Sequence, residues 1–122
     1  MSKDADLIGF GFSWPQAQAL GYINKAITAA GTTSTDATVC DAQSSVFTMT
    51  ASGSDGIRMN SAVPLLKPIF VANSAAGNGK VYPHTGGTVN SGSTDAGETC
   101  NATTVQIWMR VSATAWIAVL GA

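Results

Sequence analysis

His84 is the only histidine in the 122-residue chain, so imidazole-based acid–base chemistry would have to run through the Pro83-His84-Thr85 turn. A serine triad would need a serine and an aspartate converging on it, and serines are too abundant for any one to stand out. Cys40 and Cys100, the two cysteines, lie in no C-x-x-C or C-x-x-H setting, so neither a zinc site nor a redox motif is suggested. In a reducing cytoplasm they read as two small buried thiols, and a disulfide between them stays open if their strands are neighbours. Asp36, Asp41, Asp55 and Asp95 are scattered and read as turn or loop residues rather than a carboxylate cage. Glu98 could meet an aspartate in space to form a glycosidase pair, but nothing selects it. Gly79-Lys80 lacks the upstream glycine and following hydroxyl of a phosphate loop, because Ser74 and Val81 stand there. Gly9-Phe10-Gly11 is not set in a strand–helix unit, so it is no dinucleotide fingerprint. Asn101-Ala102-Thr103 matches a glycosylation acceptor by chance, given no secretory leader. No catalytic, cofactor-binding or metal-ligating residue is therefore assigned, and the chain is expected not to be an enzyme.

Charged residues are 11% of the chain, against roughly 25% in ordinary soluble domains. Such a surface has little charge to keep copies apart. The expectation is that copies of the chain or a larger assembly cover much of it. Six basic and seven acidic side chains give a net charge of -1, with no basic stripe to neutralise phosphates, so nucleic acid is not expected as a partner. No apolar run reaches the roughly 18 residues needed to span a bilayer, so no membrane partner is expected either. Lys3-Asp4-Ala5-Asp6 ahead of Leu7–Trp14 is too acidic a lead, and the segment too short, for a signal peptide. Synthesis in the cytoplasm is the expectation.

The elements that would carry these residues divide the chain at about residue 35. Residues 1–35 read as an N-terminal arm, partly extended or helical, and residues 36–122 as one β-sandwich domain. In the arm, Phe10, Phe12 and Trp14 alternate with small residues and could press onto a neighbouring surface. Beyond Pro15, apolar residues from Ala19 to Ala30 recur at spacings of three and four, fitting a helix over residues 16–30 that Gly31 would end. Ile23 to Thr28 could equally be a first strand.

From Ala37 the period changes to two. Phe47, Met49 and Ala51 share one face of a strand, and Ile57 to Asn60 alternates again. Ile69 to Ala72 is apolar on both faces and should sit deep. Gly77-Asn78-Gly79 predicts a tight hairpin from Val71 to Val81. Thr104 to Ser112 is the clearest strand, with Val105, Ile107, Met109 and Val111 facing inward and Gln106, Trp108 and Arg110 outward. Trp108 either covers the stem of Arg110 or packs under the arm, or, with Arg110, makes a subunit contact, since both residue types are enriched at interface hot spots. Ala115 to Leu120 should be buried on both sides. About eight strands with no helix after Asp36 predict an all-β, antiparallel jelly-roll-like sandwich.

Val71-Ala72-Asn73, Val81-Tyr82-Pro83, Thr85-Gly86-Gly87-Thr88-Val89-Asn90 and Ser112-Ala113-Thr114-Ala115-Trp116 follow in an order that resembles small β-domain proteins of tailed bacteriophages. Ile27 to Thr33 also looks like that group, so the resemblance covers roughly residues 27 to 120. Similar proteins include capsid decoration, or cement, proteins with a jelly-roll-like domain that assemble as trimers on the outside of an icosahedral head. The resemblance implies a structural virion protein on the outer capsid surface. It would bind the major capsid protein and itself as a homotrimer, use no cofactor, and be tied down by Phe10, Phe12 and Trp14. The alternative is a carbohydrate-binding or host-adhesion module of a head or tail fibre, which would stack Tyr82, Trp108 or Trp116 on a sugar ring.

Overall fold

The structure, a computed structural model, describes residues 24–121. Ten strands follow one another: β1 (Asn24–Thr28), β2 (Thr38–Val39), β3 (Val46–Thr50), β4 (Gly56–Arg58), β5 (Ile69–Asn73), β6 (Gly79–Tyr82), β7 (Thr88–Val89), β8 (Glu98–Cys100), β9 (Thr104–Arg110) and β10 (Ala115–Val119). No helix occurs among the described residues. The described residues are all-β as expected, but they form a β-solenoid and not an antiparallel jelly-roll sandwich. Successive coils each place one strand in a six-stranded sheet, ordered β1-β3-β5-β9-β10-β7, and one in a four-stranded sheet, ordered β2-β4-β6-β8.

Parallel pairing defines the stack. Asn24 lies on Val46 and Val46 on Phe70 in the large sheet, while Ile57 lies on Val81 in the small one. Parallel neighbours need a long crossover, and here each coil's second strand supplies it. After the third coil the chain reverses: β8 runs antiparallel to β6, β9 to β5, and β10 to β9. The last strands thus extend both sheets by antiparallel pairing, leaving β7 and β8 as their edges there.

The coil length is roughly 20–25 residues, within the range of solenoid repeats, and it is written in the sequence. Ala29-Ala30-Gly31, Ala51-Ser52-Gly53 and Ala75-Ala76-Gly77 recur at the same corner, following β1, β3 and β5 in turn. At Gly31 the backbone has φ 70°, and an added Cβ would collide with the Asp36 carboxylate. The conformation and the close approach both require glycine there. Gly31 thus turns a corner rather than ending a helix. The helical pattern over residues 16–30 fails where it can be seen, since 24–28 is strand, and its remainder lies outside the described residues.

Three further expectations are corrected. The Val71–Val81 segment is no hairpin: β5 and β6 belong to different sheets, and the Gly-Asn-Gly stretch is a coil corner. The faces of β9 are reversed, with Gln106 and Trp108 buried and Val105 and Val111 exposed. In β10, Trp116 and Ala118 are buried, but Ile117 and Val119 stand outside. The core lies between the sheets, where Phe47, Met49, Ile69 and Val71 face Ile57 and Val81. Corners are held by carboxylates accepting backbone N–H groups, as Asp36 does from Thr32 and Thr33, Asp41 from Gln43 and Ser44, and Asp55 from Ser52.

Candidate functional site

Paired residues share a face, so register alone assembles the outer surface of the large sheet. One row runs Val119, Ile107, Phe70, Val46 and Asn24 across β10, β9, β5, β3 and β1. Beside it lie Val105, Ala72, Thr48 and Ala26, and beyond it Met109 pairs with Ile117. No charged residue occupies an outward position of β3, β5, β9 or β10. Val105, Ile117 and Val119 are 50%, 54% and 63% exposed. Covering what each leaves in water is worth about 1 kcal/mol per side chain. Soluble monomers seldom leave so continuous an apolar strip open.

A second apolar feature is the loop before β5. Ala42, Pro64, Leu65, Leu66 and Pro68, with Gln43 and Lys67, line a groove of about 560 Å³. Lys67 Nζ donates to the carbonyls of Ala42 and Gln43 at 3.1 and 2.9 Å, fixing one wall. Leu66 is 63% exposed and sits at φ 64°, a conformation that a leucine adopts only at a cost of about 1–2 kcal/mol. Its N–H donates to the Arg110 carbonyl at 2.8 Å, which holds it there.

Trp108 was expected at a subunit contact or over Arg110, and it does neither from outside. It is 0% exposed, packed edge-on to Trp116 with ring centres 6.0 Å apart, and donates its indole N–H to Gln106 Oε1 at 2.9 Å. Gln106 Nε2 in turn donates to the Thr99 carbonyl at 2.8 Å, so the inward amide is satisfied and a polar residue can occupy the core. Arg110 is half-buried and donates to the carbonyls of Ser61, Val63 and Ala113, tying two loops to the end of β9. Phe10, Phe12 and Trp14 lie outside the described residues.

His84 is buried, and its Nδ1 accepts the indole N–H of Trp116 at 2.9 Å. Burial first, and then the Arg110 charge, hold its imidazole below 6.5, with Asp95 opposing. The residue lines a cleft of about 220 Å³ with Val39, Arg58, Met59, Asn60, Ser61 and Thr85. Cys40 and Cys100 are free and buried. Burial pushes the Cys40 thiol up to about 12, helped by the Asp41 charge, and raises Cys100 as well. Neither thiol carries useful thiolate at neutral pH. Among the described residues no group of three His, Cys, Asp or Glu could hold a metal ion, and no helix is long and apolar enough to cross a membrane.

Sequence reasoning missed the apolar strip because it turned the aliphatic residues of β9 inward and buried β10 on both sides. The signal that could have found it is the alternation of Trp116 and Ala118 with Ile117 and Val119, where only one set can fill a core already holding two indoles. No family model matches the chain, and neither the curated proteins nor the solved structures contain a match to it.

Proposed function

We propose that the chain is a structural virion protein that decorates and stabilises the outside of a bacteriophage capsid, binding major capsid protein subunits as a homotrimer. The observation that carries this reading is the uncharged apolar strip across the large sheet, centred on Val105, Ile107, Ile117 and Val119. Ladder pairing across five strands holds that strip in one register, which lowers the ordering cost of docking. Three strips on one trimer add as avidity, so each contact can be weak. Phe10, Phe12 and Trp14 would add an apolar tie. The sugar-binding alternative loses its rings, since Tyr82, Trp108 and Trp116 are all buried.

The test is attachment to empty phage heads, followed by co-sedimentation and electron microscopy, with light scattering to fix the solution mass. Wild-type protein should be trimeric and should decorate the heads. The Ile117→Asp/Val119→Asp variant should lose attachment at least tenfold while keeping its circular dichroism spectrum, because each buried carboxylate would go unpaired. Bare heads with the wild-type protein, or undiminished decoration by the variant, would sink the proposal.

A further inference from the structure

The cleft around His84 lies in the turns beside the small sheet, and its lining is one-sided in chemistry. Arg58, Asn60, Ser61, His84 and Thr85 supply polar groups, Val39 and Met59 supply an apolar wall, and no aspartate or glutamate lines it. Asn60 is spent, since its Nδ2 donates to the Cys40 carbonyl at 3.1 Å and its Oδ1 accepts the Ala62 N–H at 2.8 Å. The remaining polar groups are donors in waiting. Arg58 uses Nη1 on the Ser34 carbonyl at 2.6 Å, with the Thr35 carbonyl at 3.5 Å. That bond anchors the guanidinium, and among the described residues its hydrogen bonds all run through Nη1, leaving Nη2 and Nε without a partner there. Because Trp116 donates to Nδ1 of His84, the neutral ring must carry its proton on Nε2, another donor without a protein partner among the described residues. The Ser61 and Thr85 hydroxyls are likewise uncommitted there.

A guanidinium, an imidazole whose free N–H is Nε2, and two hydroxyl residues lining one hollow that no carboxylate lines match the acceptor oxygens of an anion. At about 220 Å³, against about 30 Å³ for one liquid water, the hollow admits the anion together with a short carbon stem along Val39 and Met59. We infer that this cleft binds a small oxyanion, a carboxylate or a phosphate, gripped by Arg58 and oriented by His84 Nε2–H, Ser61 and Thr85. The site is independent of the apolar strip and of the capsid reading.

Titration of isotope-labelled full chain by NMR tests it, with sodium phosphate in one arm, sodium propionate in the second, and sodium chloride at matched ionic strength as the control. The expected result is saturable shifts at the Arg58 Nε–H, the His84 ring and the Thr85 amide in at least one arm. Saturation by phosphate alone assigns phosphate, and saturation by propionate alone assigns a carboxylate. The dissociation constant should rise at least tenfold in Arg58→Met and at least threefold in Ser61→Ala/Thr85→Val. The second variant leaves the bond to Ser34 untouched and decides the matter alone if Arg58→Met does not fold. Shifts that stay linear, that sodium chloride reproduces, or that persist undiminished in the folded variants would overturn the inference.

Discussion

The bond from Trp116 Nε1–H to His84 Nδ1, 2.9 Å long, exists only while Nδ1 is unprotonated. Burial, then Arg110, depress the folded pKa of His84 below 6.5, so the unfolded chain binds the proton first. The stability this histidine contributes is present above pH 6.5 and is lost as pH falls through its folded value. Thermal melts followed by near-ultraviolet circular dichroism should show a lower Tm at pH 5 than at pH 7.5. His84→Gln, whose amide oxygen can still accept the indole N–H, should flatten that dependence. The lowered carboxylates belong to a different window: Asp36 is held down by the Thr33 N–H, whereas in Asp41 and Asp55 burial is outweighed by hydrogen bonds from Ser44 and Ser52. Their contribution is fully present above pH 3.8 and is lost as pH falls below it through their lower folded values. Leu66 gives a second residue-scale test. At φ 64° an asparagine is less strained than a leucine, so Leu66→Asn should raise unfolding free energy by about 1 kcal/mol in urea titrations. A loss of stability would mean that the groove needs the leucine more than the backbone resents it.

Among elements, the corner after β5 depends on one side chain. Asn73 is 1% exposed, and its Nδ2 donates to the carbonyls of Gly77, Cys100 and Asn101 at 2.9, 3.1 and 3.3 Å while its Oδ1 accepts the Ala75 N–H at 3.1 Å. It thus joins the third coil to the closing β8–β9 loop. Asn73→Ala should cost about 3 kcal/mol in urea denaturation, since several buried carbonyls lose their donor at once. Alternation made β3 and β4 legible in the sequence: Phe47, Met49, Ile57 and Met59 all lie inward as their spacing requires. The same alternation misled at β9, because Gln106 and Trp108 satisfy each other inside and free the aliphatic residues to face out. Strand direction was not legible, since a period of two serves parallel and antiparallel neighbours alike. The recurring Ala-Ala-Gly or Ala-Ser-Gly corner carried that information, through its spacing rather than its chemistry. The cleft was hidden for another reason: Arg58, Ser61 and His84 meet only because β4 stacks beside β6.

For the whole molecule, stacking in one direction and reversing at one end makes the two ends unlike. At one end of the described stack the edge strands β1 and β2 run parallel to their neighbours, whereas at the other end β8 and β9 are added antiparallel and β7 and β8 form the edges. The ladder hydrogen bonds lie across the strands, so they run along the stacking axis. A pull along that axis would peel one coil from the next, loading each ladder in tension. A pull along the strands would instead shear every bond of a ladder together. The apolar strip lies on the face parallel to both directions. A subunit gripping it could therefore strain the protein where it is mechanically strong or where it is weak, according to how the strands are aligned with the load. For a protein proposed to hold a pressurised shell, orientation on the surface becomes a determinant of strength, separate from affinity.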